Sequence, residues 1–291
     1  MRICDLYDRK KPVISLEVFP PKKGTGLEGI VNTIAKLRDL QPDFVSVTYS
    51  AGGSGSTDKT LDLCAMIRNT YGMEALAHLT CLNSTREDVD HYVGRLKEAG
   101  IENIMALRGD LSDDLQEGWE QRAQYRYASD LISDLATRHP GFCIGGAAYP
   151  EGHLEADSLD ASLLHMKEKV EAGAQFLVTQ LFFDNSAYFR FLDKAHALGV
   201  SAPISAGIMP ILSRSQIERM IFMCGVSLPA EIVKILYRYD SDDEGLMQAG
   251  IEYSARQIRE LIEHGVDGVH IYTMNRPRIA AENMAAARAA L

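Results

Sequence analysis

The chain has 291 residues, of which 46% are hydrophobic and 24% are charged, so its composition is that of a globular protein rather than a disordered or fibrous one. Lys and Arg number 30 against 40 Asp and Glu, which gives a net charge of −10 at pH 7. This balance argues against nucleic acid as a partner, because surfaces that follow phosphates need excess basic charge.

Cysteine spacing and hydropathy indicate the cellular setting. The five cysteines lie far apart in the chain, at Cys4, Cys64, Cys81, Cys143 and Cys224. They form no CxxC or CxxH spacing for zinc, and the sequence contains no HExxH motif. No window approaches ~18 consecutive apolar residues, and the start MRICDLYDRKKP lacks the apolar run of a signal peptide. We therefore predict a soluble cytoplasmic protein that uses no metal and no membrane.

Short apolar, β-branched runs recur along the chain and alternate with segments of helical period. In chain order the eight strand candidates are VISLEVF (13–19), DFVSVTY (43–49), EALAHLT (74–80), IENIMALR (101–108), FCIGGAAY (142–149), AQFLVTQLFF (174–183), PISAGIM (203–209) and VDGVHIYT (266–273). Nearly continuous apolar strands predict burial on both faces, as in a parallel sheet covered by helices.

The segment between the third and fourth strand candidates shows the helical pattern clearly. Its apolar residues follow a period near 3.6, at Val89, Tyr92, Val93 and Leu96. Thr85 precedes them as a residue type that caps helix N-termini, and Gly100 stands where the helix would stop. We therefore predict a helix between Thr85 and Gly100.

The strand candidates end at regular intervals. The steps from Glu17 to Thr48 and on to His78 take 31 and 30 residues, each the length of one βα unit. The step from Arg108 to Tyr149 takes 41 residues and includes the polar stretch LSDDLQEGWEQRAQ, which we predict to be a long loop. Eight such units without a Pro- or Ser-rich linker favour a single domain, residues 1–291, folded as a closed (β/α)8 barrel. A doubly wound open sheet is the alternative.

The last unit is longer than the others. From Ile208 to Tyr272 the chain takes 64 residues, which include the helical patterns LPAEIVKILYRY and MQAGIEYSARQIRELIEHG. We predict that these extra helices form an insertion before the last strand.

Polar residues fall at the C-terminal ends of the strand candidates, where (β/α)8 barrels carry their chemistry. Glu17 interrupts the first apolar strand, where a desolvated carboxyl group favours its protonated form and suits general-acid catalysis. The alternative is a glutamate whose head group lies in water. Thr48 and Tyr49 end the second strand before the glycine-rich AGGSGST, whose backbone N–H groups suit a cofactor, although a flexible loop has the same composition.

The next four strands continue this pattern. His78 ends the third strand, where a single histidine equally suits a hydrogen-bonded core position. Arg108, Gly109 and Asp110 end the fourth strand, either as a binding site for a polar ring system or as an ordinary charged turn. The fifth and sixth strands are followed by Tyr149, His153 and Gln180. Six of the eight strands are thus expected to point a hydrogen-bonding side chain at one mouth.

Eight motifs along the chain resemble, in the same order, those of the methylenetetrahydrofolate reductases. They are SLEVFPPK, FVSVTYSAGGS, AHLTC, ALRGD, AAYPEGH, VTQLFFD, GIMP and HIYTMNR. The resemblance implies a (β/α)8 barrel that holds FAD at the strand C-termini. It also implies reduction of 5,10-methylenetetrahydrofolate to 5-methyltetrahydrofolate with NADH or NADPH, by ping-pong hydride transfer through flavin N5.

The resemblance also implies roles for individual residues. Glu17 matches the general acid that protonates folate N10, and Asp110 matches the carboxylate beside the flavin and the pterin. Gln180 is similar to the glutamine that hydrogen-bonds folate or, alternately, nicotinamide. The positions that match flavin contacts are Thr48, Tyr49, Ala51, His78, Arg108, Gly109, Asp110, Ala128, Tyr149, His153 and Lys169.

Three further positions qualify these roles. Gln216 and Arg276 match folate contacts, although the stretch from Ser213 to Gln216 is also typical of a capping box that would occupy the glutamine structurally. Ser162 stands where relatives often carry an aspartate, which leaves FMN as a less favoured alternative to FAD.

Two other functions remain open from the sequence. One is a flavin-linked amine oxidoreductase of the proline dehydrogenase kind, which would use neither nicotinamide nor folate. The other is a non-catalytic barrel subunit, against which the presence of both Glu17 and Asp110 argues. The expected partners are small molecules, and the sequence leaves homo-oligomerisation open.

Overall fold

A computed structural model describes residues 1–9, 11–21, 26–49, 56–82, 84–109 and 123–291. Its centre is a closed barrel of eight parallel strands, in which the last strand pairs with the first. The strands are β1 (Val13–Val18), β2 (Phe44–Val47), β3 (Ala75–Thr80), β4 (Asn103–Leu107), β5 (Cys143–Ala148), β6 (Phe176–Thr179), β7 (Ile204–Ile208) and β8 (Gly268–Tyr272). The predicted (β/α)8 barrel is confirmed, and the open doubly wound sheet is wrong because no strand of the barrel is left as an edge.

Helices alternate with the strands on the outside of the barrel. Within the described ranges they are α1 (Glu28–Arg38), α2 (Ser56–Ala65), α3 (Arg86–Glu98), α4 (Ala128–Arg138), α5 (Leu159–Glu171), α6 (Asn185–Ala197), α7 (Arg214–Cys224), α8 (Ala230–Arg238), α9 (Asp243–Glu263) and α10 (Pro277–Ala290). Three of them, α7 to α9, stand between β7 and β8, where a βα unit needs only one. This confirms the predicted extra helices before the last strand.

Helix α3 forms for the reasons that its sequence shows. Thr85 caps its first turn in a reciprocal capping box with Asp88, so two orphan backbone donors are satisfied. The residues that α3 buries are the four apolar positions of the predicted pattern: Val89, Tyr92, Val93 and Leu96. Gly100 follows with φ +75°, a left-handed conformation that favours glycine after a helix. The predicted helix is confirmed.

Each strand divides its side chains between two environments, because successive residues point to opposite faces. On β1, Leu16 and Val18 belong to the large core between the strands and the helices. Val13 instead packs inside the barrel with Phe44 and Phe176. The same alternation continues up the strand, so that Glu17 lies on the inward face above Val13.

The N-terminal half of the barrel interior is an apolar core. A short 3-10 helix, Ile3–Leu6, packs against this core and closes that end of the barrel. Gly145 on β5 leaves room for the ring of Phe176, since a Cβ atom at this position would lie 2.5 Å from that ring. The barrel is therefore filled from below, and any open space must lie at the strand C-termini.

One predicted strand is shorter in the structure, and one predicted loop lies almost wholly outside the described residues. The apolar run predicted as a strand over 174–183 forms β6 only over Phe176–Thr179. Beyond it, Phe182 stacks on Tyr188 of α6, while Leu181 and Phe183 pack toward the extra helices. Burial rather than strand pairing explains their apolar character. The predicted long loop after β4 lies outside the described residues apart from 123–124.

Among the helices of the described chain, none combines the length and the apolar character needed to cross a lipid bilayer.

Candidate active site

A cavity of about 660 Å³ opens at the C-terminal ends of the strands. This volume lies within the roughly 300–1,000 Å³ typical of small-molecule and cofactor sites. Eleven of the fifteen predicted site residues line it: Glu17, Thr48, Tyr49, His78, Arg108, Gly109, Ala128, Tyr149, His153, Lys169 and Gln180. Ala51 and Asp110 lie outside the described residues. Residues that are far apart in the chain thus share one concave wall.

Glu17 lies at the bottom of this cavity between two histidines. Its Oε2 atom is 3.3 Å from His270 Nε2 and 3.5 Å from His78 Nε2. The Glu17 side chain is 15% exposed and the His270 side chain 1%. Barrel closure brings β8 next to β1, which places His270 beside a residue 253 positions earlier in the chain.

A serine supports each histidine from inside the barrel. Ser46 Oγ is 2.6 Å from His78 Nε2, and Ser15 Oγ is 2.7 Å from His270 Nδ1. Both serines are fully buried, one on β2 and one on β1. The two imidazoles and two hydroxyls form a buried polar cluster around the carboxyl group of Glu17.

His78 stays neutral in this cluster. Burial lowers the pKa of His78 to about 4; the negative charge of Glu17 opposes this shift, and the nearby His270 adds a smaller lowering. His78 is therefore an uncharged polar neighbour 3.5 Å from Glu17, whereas the hydrogen bond to the carboxyl group comes from His270 Nε2.

A second wall of the cavity carries Arg108 at the end of β4. Its Nη1 atom pairs with the carboxylate of Glu155, and its guanidinium carbon lies 6.0 Å from the centre of the Tyr127 ring. Its Nε atom is buried and has no hydrogen-bond partner among the described residues. Such an orphaned donor in a cavity wall suits a ligand that brings its own acceptor.

Lys169 reaches the same wall from α5. Its Nζ atom donates to Ala147 O at 2.8 Å and lies 5.2 Å from the centre of the Tyr149 ring. Burial lowers the pKa of Lys169 to about 8, which Glu168 only partly offsets. A lysine held by a carbonyl and an aromatic face is prepared to receive an anionic group.

The residue Ser162, which departs from the pattern of the resembling family, has a structural role here. Its Oγ accepts a hydrogen bond from His153 N at 3.1 Å, near the N-terminus of α5. The His153 ring stands perpendicular to Tyr149, with their centres 4.7 Å apart. Ser162 thus fixes the turn that carries His153 into the cavity wall.

Gln180 and Tyr272 form the side of the cavity above β6 and β8. Gln180 Oε1 accepts from Leu181 N at 2.9 Å, and Tyr272 OH donates to Thr179 O at 2.8 Å. Burial raises the pKa of Tyr272 well above its ordinary value, and Glu17 adds to this shift. Tyr272 therefore remains a protonated phenol in the wall.

The cavity wall built from described residues includes neither Gln216 nor Arg276. Gln216 Oε1 accepts from Leu212 N at 2.7 Å, and its backbone N–H donates to Ser213 Oγ at 3.2 Å. The side chain is thus engaged at the start of α7, as the structural alternative expects, although it accepts from Leu212 N rather than from the Ser213 N–H of a capping box. Arg276 precedes α10, and its Nη1 lies 3.6 Å from Met247 Sδ.

Comparison with known proteins places this chain in a family. Residues 2–287 match the family model described as methylenetetrahydrofolate reductase. The chain belongs to the methylenetetrahydrofolate reductase family. The resemblance seen in the sequence is confirmed. The match favours this family over an amine oxidoreductase of the proline dehydrogenase kind.

Individual members of the reductase family differ in length. Methylenetetrahydrofolate reductase 1 of Schizosaccharomyces pombe is 38% identical over 92% of this chain and 44% of the relative. The 5,10-methylenetetrahydrofolate reductase of Pectobacterium carotovorum is 37% identical over 92% of this chain and 87% of the relative. The Escherichia coli protein of the same name is 36% identical, with 92% and 88% covered. The chain spans about half the length of the yeast relative and most of the bacterial ones.

A solved structure from Clostridium thermocellum has the same fold. It is an uncharacterized protein that binds two copies of 5-methyl-5,6,7,8-tetrahydrofolic acid, and it aligns with a TM-score of 0.69 over 98% of this chain and 97% of that chain. The two sequences are 17% identical. At this identity the likeness concerns the fold alone.

Sequence reasoning missed several residues of this cavity. His270, Tyr272, Tyr127 and Glu155 all line it. A signal existed for the first two, because in the run VHIY the polar ring of His270 alternates with apolar Val269 and Ile271 in a strand predicted to be buried on both faces. No local pattern marks Tyr127 or Glu155, which reach the cavity from segments after the strands.

Proposed function

We propose that this protein reduces 5,10-methylenetetrahydrofolate to 5-methyltetrahydrofolate, with NADH or NADPH as donor and FAD as the bound cofactor. Family membership supports the overall reaction, and the carboxyl group of Glu17 between two buried imidazoles carries the assignment of the site. One cavity serves both half-reactions, so the proposal includes a ping-pong order in which nicotinamide leaves before folate enters.

The cavity fits a flavin nucleotide. It has the volume of a cofactor site, two cationic side chains on its wall, and the unpartnered Nε donor of Arg108. Lys169 and Arg108 would meet the anionic part, while Thr48, His78 and Tyr149 would border the ring system. When bound, a flavin supplies a carrier that takes hydride from the nicotinamide and gives it to folate. These features suit FMN as well, and the family resemblance favours FAD.

Glu17 would hold the proton that the folate half-reaction requires. Opening of the five-membered ring needs protonation at folate N10, and the Glu17 carboxyl group, 15% exposed in the cavity, is the acid that the proposal assigns to this step. Among the described residues, Glu17 pairs with the imidazoles of His78 and His270 and with no lysine or arginine. This environment leaves the carboxyl group free to cycle between its acid and its base form.

The remaining polar residues would orient the substrates. Gln180 presents an amide to the cavity that suits either folate or nicotinamide. Asp110 is proposed as the carboxylate that stabilises the cationic folate species formed when the ring opens. Gln216 and Arg276 belong to the proposal only as contacts to a part of folate that extends beyond the cavity.

Rapid kinetics of the two half-reactions test this function. The purified protein is expected to be yellow, to be bleached by NADH or NADPH without oxygen, and to be reoxidised by methylenetetrahydrofolate. Glu17→Gln removes the transferable proton, so folate reoxidation is expected to fall by roughly 10²–10⁴-fold while bleaching by nicotinamide stays within about threefold. Glu171→Gln, a change of the same chemistry at a side chain that is 64% exposed, is the matched control.

The same measurements can contradict the proposal. A colourless protein that neither FAD nor FMN reconstitutes would exclude a flavin reductase. Equal loss of both half-reactions in Glu17→Gln would show that Glu17 supports the site as a whole rather than supplying a proton to folate.

A further inference from the structure

Glu17 needs hydrogen-bond partners in its ionised form as well as in its protonated form. After giving up its proton, Glu17 becomes a carboxylate in a site where it is only 15% exposed. A buried carboxylate without a hydrogen-bond donor is destabilised, because nothing replaces the water that would otherwise solvate it. Within the described parts of the chain, only two imidazoles reach ion-pair distance from it, His78 and His270.

His270 is held in one orientation. Its ring stacks on Phe44 with centres 6.2 Å apart and meets Tyr272 edge to face at 5.2 Å. One ring nitrogen, Nδ1, lies 2.7 Å from Ser15 Oγ, and the other, Nε2, lies 3.3 Å from Glu17 Oε2. Since the ring is 1% exposed, water cannot replace either partner.

Both partners of His270 can donate or accept a hydrogen bond, because a serine hydroxyl does both and a carboxyl group does either according to its protonation. When Glu17 is ionised, Ser15 O–H donates to Nδ1, and Nε2–H donates to the carboxylate. When Glu17 is protonated, its O–H donates to Nε2, and Nδ1–H donates to Ser15 Oγ. The two arrangements differ by one proton and a rotated hydroxyl, and no heavy atom has to move.

We propose that His270, backed by Ser15, is the positioning residue that holds Glu17 in both of its protonation states by changing imidazole tautomer. This inference rests on the proposed function, since it explains how a folate-protonating acid keeps one geometry through its cycle. A lysine or arginine in place of His270 would hold Glu17 as a carboxylate. His270 supplies a donor to the base form and an acceptor to the acid form.

The other groups that face Glu17 do not duplicate this role. Among the described residues, the titratable groups around it are His78 on β3 together with His270 and Tyr272 on β8. Ser46 and Glu17 both approach the same nitrogen of His78, Nε2, so a change of tautomer there cannot serve the two partners separately. The Tyr272 hydroxyl is engaged with Thr179 O.

Nitrogen NMR of 15N-histidine-labelled protein tests the tautomer change directly and needs no folate turnover. On acidification, the His270 ring is expected to pass from the Nε2–H to the Nδ1–H tautomer, and Glu17→Gln is expected to remove this step. A His270 ring that keeps one tautomer throughout, or that gains a second proton in place of changing tautomer, would overturn the inference. If the protein reduces no folate, only the proposed function fails, because the NMR result stands by itself.

Kinetics give the second readout. Ser15→Ala and His270→Phe are expected to slow folate reoxidation by about 10-fold and about 100-fold and to shift its pH profile, with flavin reduction by NAD(P)H unchanged. Ser205→Ala removes a buried hydroxyl that bonds Tyr7 instead, 2.8 Å away, and is the matched control. If His270→Phe does not fold, the rate and pH profile of folate reoxidation in Ser15→Ala test the inference. Wild-type folate rates and pH profile in Ser15→Ala, or equal loss of both half-reactions, would contradict the inference.

Discussion

The two ends of the barrel interior use the same strands but opposite kinds of side chain. Near the N-terminal end, β1, β2 and β3 contribute Val13, Phe44 and Leu76 to an apolar core. Two residues further along β2 and β3, the same inward face carries Ser46 and His78. Burying polar groups opposes folding unless each finds a partner. The apolar lower end therefore stabilises the barrel by packing, whereas the upper end places polar groups in the wall of the cavity.

The largest effect is expected at the lower end. Phe176→Ala removes a fully buried ring that fills the space over Gly145, so the free energy of unfolding is expected to fall by about 3–5 kcal/mol. Urea denaturation measures it, with Leu164→Ala on α5, 51% exposed, as the control with little effect. A loss below about 1 kcal/mol would mean that the lower core does not support the barrel.

A smaller, pH-dependent effect is expected at the upper end. Because the pKa of His78 is about 4 in the folded protein and 6.5 ordinarily, the unfolded chain binds more protons between these values. This contribution to the free energy of unfolding is complete above pH 6.5 and is lost as pH falls through 4. The total loss is about 3 kcal/mol.

Denaturation across this pH range distinguishes His78 from other histidines. His78→Gln is expected to flatten the decline of stability between pH 6.5 and 4, since the amide does not titrate. His196→Gln, at an exposed position on α6, is expected to leave the decline unchanged. Identical slopes for wild type and His78→Gln would contradict the assignment of a buried, neutral His78.

The smallest effect is expected from Lys169, and it has opposite signs for stability and binding. The lowered pKa of Lys169, about 8, means that its charge is disfavoured on folding; this cost is complete below pH 8 and disappears as pH rises toward 10.5. Lys169→Met is expected to stabilise the flavin-free protein at pH 7 by about 1 kcal/mol, less than a full burial cost because the ammonium group faces the open cavity.

Lys169→Met is also expected to change the affinity of the protein for flavin. Loss of the ammonium group is expected to weaken flavin affinity by about 10-fold, because a charge-assisted contact to an anion is removed. Lys167→Met, on the same helix but 38% exposed and paired with Glu171, is the control for both measurements. A variant with unchanged affinity would place the anionic part of the cofactor away from Lys169.

Local sequence was sufficient for much of the fold. The helix after β3 could be predicted because Thr85, its apolar stripe and Gly100 act within a few residues of one another. Prediction was poorer for the run after β6, because Leu181 and Phe183 are buried by the extra helices rather than by strand pairing, and apolar character alone does not distinguish the two.

The residues of the candidate site also differ in how far the sequence predicts them. Glu17 and Lys169 were found from the motifs and lie in the cavity wall. Gln216 was predicted as well, but a hydrogen bond from Leu212 N, which is local in sequence, occupies its side chain. His270 was missed because its significance depends on a neighbour 253 residues away.

The periodic runs and the recurring spacing of about 30 residues were by themselves enough to predict eight βα units, because both arise from interactions along the backbone and within single units. Only the tertiary structure decided what meets at the mouth. Closure pairs β8 with β1, so that His270 lies beside Glu17 and His78 approaches from β3. No local pattern encodes that meeting, since it depends on the register around the whole barrel.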